Sequence, residues 1–394
     1  MKDRTPHHLG SPVSRRGLLM TGAMAGAGAL AALPGSRTTA RPGSRPATGR
    51  PVESRPAGRI TVTDPTATDP TATEPTAADP TAVEPTARSR AVPVAPPDPA
   101  EVKANELGVV PVMMYHRIQP RIIGEFDMTP RDFRVQLQTL FAMGMRPVRT
   151  IDLVRRDFRI KAGYTPLVLT FDDGYPDQFT SDGNGNVDPD SAVGILLDVC
   201  RQFPDCTPAG SLYINKNPFG LSTPQEQRRG LARLHELGLE IGNHTFDHDD
   251  LSRLDPGRVQ EDFVRLQRLV ESAVPGASVL TMALPFGNFP RARGLSRHGS
   301  WRGEAYTNDG VLMVGANPSP SPFARTFDAM AIPRIRGTSW HHGRDALTAD
   351  YWISYLKAHH DQVYVASGNP GHVTAPRTAA RLIAPAYRHR LLTY

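Results

Sequence analysis

The sequence predicts an α/β fold in which parallel strands close into a barrel. Three observations carry this expectation. Short apolar runs recur from Val109 onward, and stretches with apolar residues at helical spacing separate them. The most reactive polar residues follow apolar runs directly: Asp172 and Asp173 after Leu167–Phe171, His244 after Glu240–Asn243. A parallel barrel presents its functional groups at such strand ends.

The elements follow in order. Val109 to His116 (VVPVMMYH) reads as a buried strand. Thr129-Pro130 opens a helix with Phe133, Leu137, Leu140 and Phe141 on one face, and Gly144 ends it. Leu167–Phe171 is a strand, Ser191–Cys200 a helix, and Ser211–Ile214 a strand. Pro224–Leu237 is a helix closed by Gly238, and Glu240–Asn243 is the next strand. Pro256–Ala273 is a helix with Val259, Phe263, Leu266 and Val270 aligned. Strands are expected at Val279–Leu284, Val311–Val314, Ala331–Ile335 and Val363–Ala366, with a helix from Ala346 to Ala358 before the last. Strands alternating with helices in seven or eight such units give parallel pairing and a barrel.

The folded part does not account for the whole chain. Of 394 residues 38 are proline and 39% are hydrophobic, so a portion lacks the apolar surface to fold. Residues 1–40 read as an export signal: Ser14-Arg15-Arg16-Gly17-Leu18-Leu19-Met20 resembles a twin-arginine signal, and a weakly hydrophobic Ala/Gly run follows. That run is short for a membrane span, so none is expected after cleavage. Residues 41–104 read as a disordered linker built on Asp/Glu-Pro-Thr-Ala repeats at a five-residue period. Residues 105–394 form the catalytic-type domain. The expected location is secreted or cell-wall-associated. The net charge of +6 sits beside no basic helix interleaved with aromatics, so nucleic acid is not an expected partner, whereas an anionic wall surface would suit it. A monomer is expected. Cys200 and Cys206 allow either one short disulfide or two free thiols.

Taken singly, the polar motifs are ordinary. Asp-Asp-Gly makes turns, and two histidines with three residues between them are only suggestive. Together Asp172, Asp173, His244 and His248 are residue types that bind a divalent metal and move protons beside it.

Thr170–Gly174 (TFDDG) and His244–His248 (HTFDH) resemble the first two motifs of the polysaccharide deacetylases, carbohydrate esterase family four or the NodB homology domain. Ala283–Gly287 (ALPFG) resembles that family's proline-aromatic-glycine motif, and VPVMMYHRI with TPRDFRVQLQTLFAMGMRPV resembles the opening of exported members. The resemblance covers roughly Val109 to Ala366. It implies an irregular (β/α) barrel of about seven parallel strands. It implies a divalent metal, zinc by preference, on Asp173, His244 and His248. Asp172 would be the general base, the Phe286 N–H the oxyanion donor, and Pro285 and Gly287 part of the substrate wall. The substrate would be an N-acetylated, or O-acetylated, polysaccharide.

Two departures matter. Met282 and Ala283 occupy the place where the family often has a base-orienting arginine, and Arg334 is the candidate substitute. The family's terminal Leu-x-His, which supplies the general acid, is absent after VYVASGNPGH. His116 is ranked first as its replacement, ahead of His372 and the pair His341-His342. A second class of function, a wall-tethered glycan-binding protein with a degenerate site, follows from those departures. Hydrolysis of a small amide on the same scaffold is a third. The Asp182–Asp188 loop alternates oxygen ligands like a calcium loop, but Val187 and Val193 break that pattern, so it reads as a polar surface loop.

Overall fold

The computed structural model describes residues 97–315, 317–338 and 347–394. The expected signal, nearly all of the expected linker, and His341 and His342 lie outside the described residues.

The central sheet is wholly parallel. Its strands are β1 (Val112–Tyr115), β2 (Met145–Val148), β3 (Thr165–Phe171), β4 (Ser211–Ile214), β5 (Glu240–Asn243), β6 (Thr281–Ala283), β9 (Gly310–Leu312) and β10 (Ile335–Arg336). Seven of them run in the order β10-β1-β3-β4-β5-β6-β9, while β2 pairs with the N-terminal half of β3. The sheet curls so that Ile332, just ahead of β10, reaches β9. Its N–H donates to Val311 O at 2.8 Å, and its carbonyl accepts the Met313 N–H at 2.9 Å. The fold is thus a barrel-like α/β sheet of eight parallel strands, seven of them in one curled row closed by a single rung.

The helices start where the sequence places their caps. Thr129 Oγ1 accepts the Asp132 N–H ahead of α1 (Pro130–Ala142), and Ser191 Oγ accepts the Gly194 N–H ahead of α3 (Ala192–Arg201). Thr223 and Glu226 form a reciprocal capping box on α4 (Pro224–Glu236), and the Asp255 carboxylate caps α5 (Pro256–Ala273). Helix α2 (Thr150–Arg155) and helix α6 (Ala349–Ala358) complete the set. The apolar faces of α1 and α3 share a buried cluster with the outer face of the sheet. Gly242 on β5 has a packing role: a Cβ there would lie 2.3 Å from the Tyr213 ring.

Several expectations need correction. Val363–Ala366 is not a strand. Its backbone makes only isolated bridges, Val363 with Val109 and Val365 with Asn105. The run is apolar because it packs beside the starts of β1 and β3, bonding to Val109 and Tyr164, with Val363, Tyr364 and Ala366 buried. The strand expected at Ala331–Ile335 is pared to Ile335–Arg336, with Ile332 bridging separately. The last helix starts at Ala349 rather than Ala346. β2, α2, the antiparallel hairpin β7 (His298–Trp301) with β8 (Glu304–Thr307), and the pair β11 (Val373–Ala375) with β12 (Leu391–Thr393) were not expected. Residues 97–104 form turns, and Ala104 is fully buried. Cys200 and Cys206 form a disulfide.

Candidate metal and active site

Alternation along the strands assembles the site. On β3, Leu167, Leu169 and Phe171 pack toward the helices, so Val168, Thr170 and Asp172 face the barrel interior. On β1, Met113 and Tyr115 face outward, which turns Met114 and His116 inward. On β5, Ile241 faces outward and His244 inward. Three strands therefore deliver Asp172, His116 and His244 to one cleft of about 400 Å³ at the C-terminal end of the sheet.

Asp172 is buried, and Arg334 grips it with both arms: Nη1 to Oδ1 and Nη2 to Oδ2, each 2.7 Å. Arg334 has no exposed surface. It is fixed in turn by Nε donating to Met313 O at 2.8 Å and Nη1 to Thr170 Oγ1 at 3.1 Å. Burial pushes the Asp172 carboxyl up, but the charge and hydrogen bonds of Arg334 oppose it, and the group is held below the ordinary carboxylate range. Asp172 is thus an ionised, oriented carboxylate inside the barrel.

Asp173 follows with φ 75°, and that left-handed turn sends its side chain to a different place. Its Oδ1 lies 3.2 Å from His244 Nε2 and 3.1 Å from His248 Nε2. The three ligand-type atoms all fall within 4.8 Å of one another. His244 Nδ1 lies 2.8 Å from Ala283 O, a bond that requires the proton on Nδ1 and leaves the Nε2 lone pair facing the cluster. The loop holding His248 is over-determined. Asn243 Oδ1 accepts the Thr245 N–H at 2.8 Å, and Thr245 Oγ1 accepts the His248 N–H at 3.0 Å. Asp262 Oδ1 takes the N–H groups of Phe246 and Asp247. These bonds hold Thr245 and His248 at positive φ, 63° and 57°. One carboxylate and two imidazole nitrogens, converging with one tautomer fixed, fit a divalent metal that keeps an open position.

The Pro285-Phe286-Gly287 turn forms the rim beside His248, the Phe286 and His248 rings being 4.9 Å apart. Phe286 has φ 56° and ψ 7°, the residue is 62% exposed, and its N–H makes no hydrogen bond among the described residues. Gly287 has φ 71°, and a Cβ there would meet Val314 Cβ at 3.0 Å, so only glycine suits the position. The same tripeptide recurs at Pro218-Phe219-Gly220, where Phe219 has φ 58° and ψ 23°. There the ring is buried and the N–H donates to Gly174 O.

His116 lies on the other side of Asp172, Nε2 to Oδ2 3.9 Å, its ring packed on Phe126 at 4.8 Å. Burial lowers its pKa despite the nearby carboxylates. His372 lines a separate cleft with Glu106 and Arg156, away from this cluster. The Asp182 carboxylate is occupied by its own loop, accepting from the backbone N–H groups of Asn184 and Asn186 and from Asn186 Nδ2. Four further cleft residues, Arg117, Phe126, Asp127 and Tyr175, escaped the sequence reading. Two of them carried a signal: Arg117 lies in the VPVMMYHRI run and Tyr175 directly follows Asp-Asp-Gly.

Residues 213–297 match the family model described as polysaccharide deacetylase. That span includes β5 and both histidines of the cluster. The chain is 34% identical over 134 residues to a chitooligosaccharide deacetylase of Bradyrhizobium sp. (strain ANU 289), covering 34% of this chain and 52% of that protein. It is 29% identical over 140 residues to a chitooligosaccharide deacetylase of Sinorhizobium fredii (strain NBRC 101917 / NGR234), covering 36% and 55%. The chain thus spans about half the length of the curated relatives it matches. Among solved structures, the Streptococcus pyogenes deacetylase PplD in complex with acetate aligns with a TM-score of 0.45 at 14% identity, over 62% of this chain and 97% of that one. The matched segment and the curated relatives support the polysaccharide deacetylase family.

Proposed function

We propose that this chain is a metal-dependent hydrolase that removes acetyl groups from an N-acetylated, or O-acetylated, extracellular or cell-wall polysaccharide. The observation that carries it is the division of labour between adjacent aspartates: Asp172 clamped by Arg334, Asp173 turned toward His244 and His248. Asp173, His244 and His248 would hold the metal, and zinc suits that donor set; bound there, it would activate water and polarise the acetyl carbonyl.

The chain's own residues supply the rest. Asp172, ionised and oriented, accepts the proton of the attacking water. The Phe286 N–H, which has no acceptor among the described residues, donates to the carbonyl oxygen as negative charge develops on it. Pro285 and Gly287 fix that turn. His116, in its protonated form, donates a proton to the leaving nitrogen, or oxygen for an ester. The products are acetate and a free amine or hydroxyl. Export by the twin-arginine route, with residues 41–104 as a spacer, would place this chemistry at the wall.

The test is acetate release from chitooligosaccharides by the purified chain, with zinc and with chelator. Release that needs the metal and disappears in Asp172→Asn is expected. A zinc-loaded sample inactive on chitin-type, poly-N-acetylglucosamine, peptidoglycan and acetylated-xylan substrates would overturn the proposal. Glycan binding indifferent to Asp172→Asn and to chelation would favour the binding-protein reading.

A further inference from the structure

The metal cluster and base account for one wall of the cleft. The other polar wall is built from Arg117, Asp127 and Tyr175, none of which the reaction uses. Asp127 is 5% exposed. Its Oδ2 is saturated, accepting from Gln119 Nε2 at 2.8 Å and from the N–H groups of Ile123 and Gly124 at 2.7 and 2.8 Å. Its Oδ1 makes no hydrogen bond among the described residues. One oxygen is thus spent on the loop, the other is left without a partner there, and the residue itself lines the cleft. Burial pushes this carboxyl up, but the Gly124 and Ile123 N–H bonds outweigh it, so the group is ionised.

Arg117 is held beside it. The guanidinium lies 3.7 Å above the Tyr175 ring and 3.8 Å from Asp177, which itself accepts the Ile118 N–H at 3.1 Å. The stacking fixes the plane, while the ion-pair distance exceeds a hydrogen bond and leaves N–H donors over. A held cation donor next to a carboxylate acceptor is the complement of neighbouring hydroxyls, each of which both donates and accepts.

We propose that Arg117 and Asp127 form a clamp for adjacent ring hydroxyls of a pyranose bound in the cleft, setting which sugar presents its acetyl group to the metal cluster. The proposal rests on the deacetylase reading and names what that reading leaves open. An ammonium, such as a deacetylated neighbouring sugar would carry, is disfavoured because Arg117 stands beside Asp127 with the same sign of charge.

The test uses Asp127→Asn. Its amide oxygen can keep all three loop bonds, while an NH₂ replaces the acceptor in the cleft. On N-acetylglucosamine oligomers the variant should raise KM by about tenfold, the scale of one charge-assisted hydrogen bond, with kcat within about twofold. On the same oligomers with hydroxyls O-methylated, which cannot donate, wild type and variant should have equal KM. Arg117→Gln should raise KM on the unmethylated oligomers in the same way. An unchanged KM on these oligomers overturns the clamp. So does a KM penalty that persists after methylation, which would mark a structural role, or one confined to partly deacetylated oligomers, which would mark an ammonium site. A wild type that releases no acetate from any oligomer overturns the deacetylase reading instead.

Discussion

Replacing Arg334 with methionine isolates the buried ion pair beneath the site. Methionine has comparable reach but leaves Asp172 without its two bonds of 2.7 Å, and leaves Met313 O and Thr170 Oγ1 without a donor. Arg334 has no exposed surface and Asp172 is 1% exposed, so water cannot replace the lost partner without rearrangement. Removing one member of such a pair costs about 3–5 kcal/mol, against about 0–1 kcal/mol at a surface. The cost should depend on pH. In the wild type the folded-state pKa of Asp172 is depressed, so the pair contributes stability above the unfolded value of about 3.9 and loses it as pH falls through the folded value. In Arg334→Met the largest opposing charge is gone and burial raises that pKa, so the carboxyl can relieve itself by taking a proton. Urea unfolding at pH 7 and pH 5 should therefore show a larger penalty at pH 7, and Asp172→Asn on top of Arg334→Met should recover part of it. A penalty below about 1 kcal/mol at pH 7, or one equal at both pH values, would refute the reasoning.

Two other predictions are independent of that pair. Asp173→Asn, His244→Ala and His248→Ala should each abolish stoichiometric zinc retention after dialysis, and zinc at about a hundred times its Kd should stabilise the wild type by about 2.7 kcal/mol but not the variants; zinc retained by all three variants would place the metal elsewhere. Glu240 is buried at the barrel floor, where burial raises its pKa against the bonds from Thr281 Oγ1, Ser211 Oγ and the Ile151 N–H. Its contribution is therefore full below the unfolded value of about 4.3 and is lost as pH rises through the folded one. Glu240→Gln should match the wild type near pH 4 and exceed its melting temperature at pH 8, and a variant less stable at pH 8 contradicts this.

How much could be read in advance depended on where the information lay. β3 and α5 were legible because each combines a strict period with a cap or an apolar run, and the motif residues could be placed because they follow such runs. β2 escaped because Arg146 and Pro147 interrupt it, although Arg146 is buried against the carbonyls of Phe141, Met145 and Pro204. The β7–β8 hairpin is half exposed and carries no apolar alternation. Val363–Ala366 misled for the opposite reason, since burial without ladder bonds looks like a strand in composition. In the site, the grip of Arg334 on Asp172 spans 162 positions, a distance no local pattern encodes. Arg117 and Asp127 sit in the loop between β1 and α1; Arg117 falls in the VPVMMYHRI run, which gave it no role of its own, and neither period nor motif marks Asp127.

The chain contains the same strained turn twice, at Pro218-Phe219-Gly220 and Pro285-Phe286-Gly287. A phenylalanine in the left-handed region costs about 1–2 kcal/mol wherever it occurs. At Phe219 the cost is offset on the spot by a buried ring and a satisfied N–H. At Phe286 neither return is taken. The first turn is thus an internal control for the second, made of the same residues in the same molecule. Phe219→Gly should weaken the fold by stripping out a core ring, whereas Phe286→Gly should strengthen it by removing strain. A chain that keeps its second phenylalanine against its own stability holds that residue for something outside itself.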